Sequence, residues 1–148
     1  MDDYRITKAQ WPEQAELLRQ LRETVFVIEQ RVDPDIEWDG TDHKCVHALA
    51  TAIDGTAIGT GRLEPNGKLG RIAVLLSYRG KGIGKAIVNQ LIEYAKEAGH
   101  EMVYLNSQTH ARGFYEQFGF QVDGHVYMVA GIPHQRMTLQ FTQDEIND

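Results

Sequence analysis

The chain has one cysteine, four prolines and no long apolar run among its 148 residues. Each shortage removes a class of protein. A lone Cys45 cannot form an internal disulfide, so a cross-linked secreted scaffold is not expected, and a reducing cytosol suits it. Nothing approaches the roughly 18 consecutive apolar residues of a membrane span. The opening MDDYRITKAQ lacks the basic-then-apolar order of a secretory signal. No low-complexity tract or internal repeat is present. Lys and Arg number 15 against 21 Asp and Glu, and the net charge of −6 argues against a general nucleic-acid binder. The same charge is compatible with a cationic small substrate. His43, His47 and His110 show no close ligand spacing, so no metal is expected.

What is present is ordinary globular composition, 42% hydrophobic and 24% charged. This length suits a single domain, 1–148, burying roughly 70% of its unfolded surface. Tyr4 to Thr7 alternates and predicts a first strand. Trp11-Pro12 predicts a helix start, with Leu18, Leu21, Val25 and Ile28 as its core stripe. The acidic stretch Val32 to His43 reads as a loop. Its run Asp33 to Asp42 is expected to be solvated, or else to attract a polyamine or basic peptide.

Strands follow at Val46 to Ile53, Thr56 to Leu63 and Leu69 to Leu75, separated by the hairpin signals Asp54-Gly55 and Asn66-Gly67. Ile83, Ile87, Leu91, Tyr94 and Ala98 then share one helical face, closed by Gly99. Met102 to Leu105 predicts a strand, Ala111 to Phe118 a short helix ending at Gly119, and Phe120 to Val122, Val126 to Ala130 and Gln135 to Phe141 further strands. The class is α+β, or mixed α/β.

The segment RGKGIGKA, Arg79 to Ala86, sits between a predicted strand and helix with three glycines and three cations. The first N–H groups of a helix lack internal acceptors and carry partial positive charge, so this is an anion site of a general kind. It is not a Walker loop: three residues separate Gly80 from Gly84, and Ala86 replaces the metal-binding hydroxyl. It is not a dinucleotide fingerprint either, because Lys85 stands at the last glycine position.

IAVLLSYRGKGIGKAIV, Ile72 to Val88, resembles the acetyl-CoA-binding motif of the GNAT superfamily of N-acetyltransferases. YLNSQTHARGFYEQFGF, Tyr104 to Phe120, resembles that family's second block. VFVIEQ, Val25 to Gln30, and GIPHQRM, Gly131 to Met137, resemble a bacterial subgroup of small acetyltransferases. The resemblance covers nearly the whole chain. It implies a central, mostly antiparallel, splayed sheet of six to seven strands flanked by about four helices. It implies acetyl-CoA as co-substrate, with the diphosphate on backbone amides from Arg79 through Gly80, Lys81, Gly82 and Ile83 to Gly84, aided by Lys85. The pantetheine arm is expected to run beside Ile72, Ala73 and Val74 as an added strand. Phe114 completes the contacts expected with the coenzyme, and Asn106, at the end of its strand, is expected to hydrogen-bond either the pantetheine arm or the acceptor.

Transfer of an acetyl group to an amine needs a neutral amine, a donor to the oxyanion and a proton for the leaving thiolate, without a covalent enzyme intermediate. The resemblance gives Tyr115 the last role and a backbone N–H near Val74 the second. The family's glutamate before the I-A-V strand is absent, since Gly70 stands there. Glu29, Glu64, His110 and His134 are the candidate bases, Glu29 and His134 foremost. Cys45 reads as a small core residue. The acceptor is expected to be a primary amine on a small molecule or peptide, and edge strands near the C-terminus suggest a homodimer. The competing reading is a CoA-binding sensor without turnover.

Overall fold

The structure, a computed structural model, describes residues 4–29, 40 and 42–142. Two antiparallel groups of strands make its sheet. The first has the order β1-β2-β3-β4: β1 (Tyr4–Lys8), β2 (Val46–Ala52), β3 (Ala57–Leu63) and β4 (Leu69–Val74). The second centres on β8 (Ile132–Gln140). β5 (Met102–Gln108) lies on one side of it; β6 (Gln121–Val122) and β7 (Tyr127–Val129) also pair with it. A single parallel bridge, Lys68 to Tyr104, joins β4 to β5. Its hydrogen bond runs from Tyr104 N–H to the Gly67 carbonyl at 3.1 Å. Beyond that point the two strands share no ladder, and this gap is where the site forms.

The helices are α1 (Ala15–Arg22), α2 (Ile83–Glu97) and α3 (Arg112–Glu116). The expected α+β class therefore holds, and the described residues contain eight strands and three α-helices. The helix predicted from Trp11-Pro12 starts later, at Ala15, after a turn through 11–14. Its stripe holds for Leu18, Leu21 and Val25, which are buried. Ile28 is 68% exposed. The cause is a change of winding: Glu23–Glu29 continues α1 as a π-helix, so a 3.6-residue stripe no longer points one way.

The hairpin signals hold. Gly55 and Gly67 both take positive φ in the β2–β3 and β3–β4 turns. Ile53 lies past the end of β2 and is exposed. The last strands depart from expectation. Val129 pairs with Ile132 across Ala130-Gly131, both at positive φ, so β8 begins three residues before Gln135. The alanine at a position that wants φ > 0 hid this turn.

α2 lies on the first sheet through Ile83, Ile87, Val88 and Leu91, all buried. β3 supplies Gly59 and Gly61 beneath it. A Cβ at Gly61 would stand 2.8 Å from Ile87 Cγ2 and 2.9 Å from Leu91 Cδ1. Two missing side chains thus let the helix approach the sheet closely, which brings its N-terminus to the end of β4. At its other end Gly99 N–H bonds the Lys96 carbonyl and His100 N–H the Ala95 carbonyl, both at 3.0 Å. That is the Schellman closure expected of Gly99.

The acidic run is not a plain solvated loop at its end. Asp42 is buried, with Oδ1 accepting from Arg22 Nη1 at 2.7 Å and Arg62 Nη1 at 2.9 Å. The members Asp33 to Asp39 lie outside the described residues. Cys45 is half-buried rather than a core residue.

Candidate active site

The β3–β4 ladder sets the geometry of the gap. Leu75 N–H donates to the Ile58 carbonyl at 2.9 Å, and Gly59 stands opposite Val74. Antiparallel pairs alternate between bonded and non-bonded, so the N–H and C=O of Val74 turn away from β3 toward β5. A bulge lies just upstream, with Arg71 at φ 51°. Such bulges bend a strand and end pairing beside functional clefts. The Val74 carbonyl accepts from Arg79 Nε at 2.9 Å, which folds the connecting loop back over the strand.

That loop carries Gly80 at φ 78° and Gly82 at φ 83°, and Gly82 is the residue from which α2 springs. The first helical bond runs from Ala86 N–H to the Gly82 carbonyl at 3.0 Å. The amides of Ile83, Gly84 and Lys85 therefore have no acceptor within the helix. No acidic side chain occupies that turn, and no side chain caps it. A Cβ built on Gly80 or Gly82 meets nothing within 4 Å. Bare amides, positive dipole and open space together make a cradle for a phosphate group.

A cleft of about 350 Å³ lies at this cradle. β4 lines it with Ile72, Ala73 and Val74; the loop with Tyr78, Arg79, Gly80 and Gly82; α2 with Ile83, Gly84 and Lys85; α3 with Phe114. Of the cofactor contacts expected from sequence, Lys81 and Asn106 are not among the residues lining this cleft. Lys81 is exposed at the rim, with Nζ 5.4 Å over the ring of Tyr78, which lines the cleft. Asn106 lies on β5, across the gap, and lines a second cavity. Val25 and Tyr78 line the cleft without having been expected; only Val25's place in a stripe toward the core hinted at it.

The second cavity, about 420 Å³, opens on the β5 side. Ile72 borders both spaces. Asn106, His110, Tyr115 and His134 all line the second, together with Phe26 and Arg71. Phe114 and Tyr115, consecutive on α3, thus face one space each. Their rings meet edge-on at 5.0 Å, and Tyr115 also meets Phe120 edge-on at 6.1 Å. Burial pushes the Tyr115 phenol above its usual range, so it is a proton donor at neutral pH.

His134 stands opposite Gln108 in the β5–β8 register. Its Nδ1 is 2.9 Å from the Ile132 carbonyl. A carbonyl can only accept, so Nδ1 carries the hydrogen and Nε2 of the neutral ring keeps its lone pair. Tyr127 stacks on the imidazole at 6.0 Å. The other candidate bases fare differently. Glu64 lines neither cavity and sits 3.7 Å from Arg62 Nη2. His110 lines the second cavity but is exposed. The side chain of Glu29 lies outside the described residues.

The Arg22–Asp42–Arg62 cluster was not foreseen. Burial pushes the Asp42 carboxyl up, but the bonds and charges of the two arginines outweigh it and hold the carboxyl below the usual range. His47 Nε2 donates to the Asp42 backbone carbonyl at 2.9 Å and its ring stacks on Trp11 at 5.0 Å. Burial lowers the His47 pKa, against the pull of that carbonyl and of the Asp42 charge. Nothing in the spacing of these residues signals the cluster, since it joins points 20 residues apart on each side. Among the described residues no helix is long and apolar enough to cross a membrane.

Comparison with known proteins decides the family. An acetyltransferase (GNAT) domain model matches residues 22–141. The chain belongs to the GNAT acetyltransferase family. The uncharacterized protein YyaT of Bacillus subtilis is similar, 38% identical over 130 residues, which are 84% of this chain and 87% of that protein. Among solved structures, a candidate N-acetyltransferase of Lactobacillus plantarum superposes with a TM-score of 0.85 at 28% identity, covering 94% of this chain and 99% of that one. A GNAT family acetyltransferase of Elizabethkingia anophelis, solved with acetyl-CoA bound, shares the fold at a TM-score of 0.69 and 17% identity, covering 95% of this chain and 100% of that one. As a GNAT protein the chain is an acyltransferase of this class, and its sheet splays between β4 and β5.

Proposed function

We propose that this GNAT protein is an acetyl-CoA-dependent N-acetyltransferase that acts on a primary amine. The observation that carries the reading is the shared wall at Ile72: a cleft with a phosphate cradle adjoins a cavity holding Tyr115 and His134. The amides of Ile83, Gly84 and Lys85 hold the diphosphate, with the Lys85 ammonium beside them. The β4 edge at Ile72 to Val74 offers main-chain groups to the pantetheine arm. Acetyl-CoA, when bound, supplies an activated acyl group on a thiol leaving group.

The chain's own residues do the rest. The Val74 N–H, turned into the gap, is the donor for the acyl oxygen. His134 Nε2 takes a proton from the acceptor's ammonium, either directly or through water. The Tyr115 hydroxyl gives its proton to the departing sulfur. Asn106 and His110 lie where the acceptor would sit. The test is thiol release from acetyl-CoA across a panel of primary amines, with propionyl- and succinyl-CoA beside it. Release with at least one amine, fastest from acetyl-CoA, supports the reading.

A second reading keeps one observation in its favour. Gly70 stands where the family resemblance would place an acid, and no carboxylate is among the described residues lining the second cavity. A CoA-binding sensor would bind the coenzyme tightly and release no thiol with any amine.

A further inference from the structure

α3 carries both aromatic residues of the site, yet little within the helix itself holds it. It is five residues long, no side chain caps its start, and none of its residues is fully buried. A helix this short is not stable by itself. Its position must come from contacts elsewhere.

Tyr115 packs against the main core and Phe120, and the polar tie at the start of the helix is Gln135, a residue of the GIPHQRM segment. Gln135 is 8% exposed on β8. Its Oε1 accepts from Arg112 Nη1 at 2.8 Å, and its Nε2 donates to the Gly124 carbonyl at 2.8 Å. The amide orientation follows from chemistry, because a guanidinium only donates and a carbonyl only accepts. Arg112 in turn donates through Nε to the Thr109 carbonyl at 3.2 Å. One buried amide thus ties three pieces together: the β6–β7 connection, β8 and the first residue of α3. Arg112 lies three residues before Tyr115, one helical turn away.

We infer that Gln135, through Arg112, is a positioning residue that holds α3 so that Tyr115 keeps its place in the second cavity. The inference rests on the reading of Tyr115 given above. Gln135 does not touch the reacting atoms. Removing it frees α3 to shift, and a displacement near 1 Å at a reacting group lowers turnover by as much as about 100-fold.

The experiment uses the full chain with Gln135→Met, which keeps length and loses both hydrogen bonds, and with Arg112→Met, which releases the clasp from its half-buried end. Each is made alone and with Tyr115→Phe. Amide hydrogen exchange across residues 112–118 should rise at least tenfold in either single variant, while exchange in α2 is unchanged. Turnover at saturating substrates should fall roughly 10- to 100-fold with little change in coenzyme affinity. In the Tyr115→Phe background the same substitutions should cost almost nothing more. Unchanged exchange in both variants overturns the clasp. Equal losses with and without Tyr115 overturn the positioning role and leave general destabilisation. If Tyr115→Phe alone leaves turnover intact while exchange rises, the reading of Tyr115 fails and the clasp stands.

Discussion

Phe114 and Tyr115 are adjacent in the chain, but Phe114 lines the glycine cleft and Tyr115 lines the neighbouring cavity. One short helix therefore borders both spaces. Tyr115→Phe keeps the ring and its edge-on contacts and removes only the hydroxyl. Turnover should fall on the order of 10²- to 10³-fold, while calorimetric affinity for coenzyme A stays within about twofold. Equal turnover in wild type and variant would remove Tyr115 from the chemistry.

The His134–Ile132 hydrogen bond fixes which nitrogen is available. His134→Asn, which cannot accept a proton, should lower kcat/KM by 10² or more and leave coenzyme binding unchanged. Steady-state kinetics beside calorimetry checks both halves. A loss confined to coenzyme affinity would put His134 outside proton transfer.

Gly82 tests the cradle. At φ 83° any L side chain is strained, and its Cβ would enter the open space where the phosphate is proposed to lie. Gly82→Val should weaken coenzyme A binding at least 100-fold, while the fold survives by circular dichroism. Retained affinity in a folded variant would place the phosphate elsewhere.

Asp42 tests the buried cluster. Asp42→Asn leaves two buried arginines without their shared carboxylate, and loss of one partner from a buried ion cluster costs about 3–5 kcal/mol. Urea denaturation should show the midpoint falling with the slope unchanged. A change under 1 kcal/mol would mean the arginines are held by other means.

The same cluster sets a pH dependence. His47 has a lowered pKa in the folded state, so the folded chain binds fewer protons than the unfolded one below the ordinary histidine value of about 6.5. Its contribution is complete above that value and is lost as pH falls through the folded value. Asp42 is also lowered, and its contribution is lost further down, below about 3.9. The denaturation midpoint should thus decline from pH 7 to pH 5, and His47→Gln should flatten that decline. An identical slope in the variant would assign the acid sensitivity to other groups.

The sequence made some of this legible and hid the rest for physical reasons. Period-2 runs bounded by Asp54-Gly55 and Asn66-Gly67 marked β2 to β4, because tight turns with positive φ leave few residue choices. The glycines at 80 and 82 marked the cradle for the same reason. The choice of cavity for Asn106 was not legible, because a strand-end residue can face either side of a splayed sheet. Ile28 was misplaced because π winding leaves no mark in a 3.6-residue pattern. The Arg22–Asp42–Arg62 cluster and the Gln135 clasp are tertiary meetings of ordinary polar residues, with no local period to betray them. His134 was named from a motif, and the Ile132 carbonyl, the Tyr127 stack and its lesser exposure set it apart from His110 as a base.

The central claim is that unpaired amides at the start of α2 hold the diphosphate of coenzyme A. Isothermal titration calorimetry of the full chain with coenzyme A, and in parallel with S-acetylpantetheine, which lacks that group, tests it directly. The account predicts saturable binding of coenzyme A at micromolar concentration, and binding of the truncated thioester weaker by two orders of magnitude or more. No heat with coenzyme A at millimolar concentration, or equal affinity for the two ligands, would contradict it.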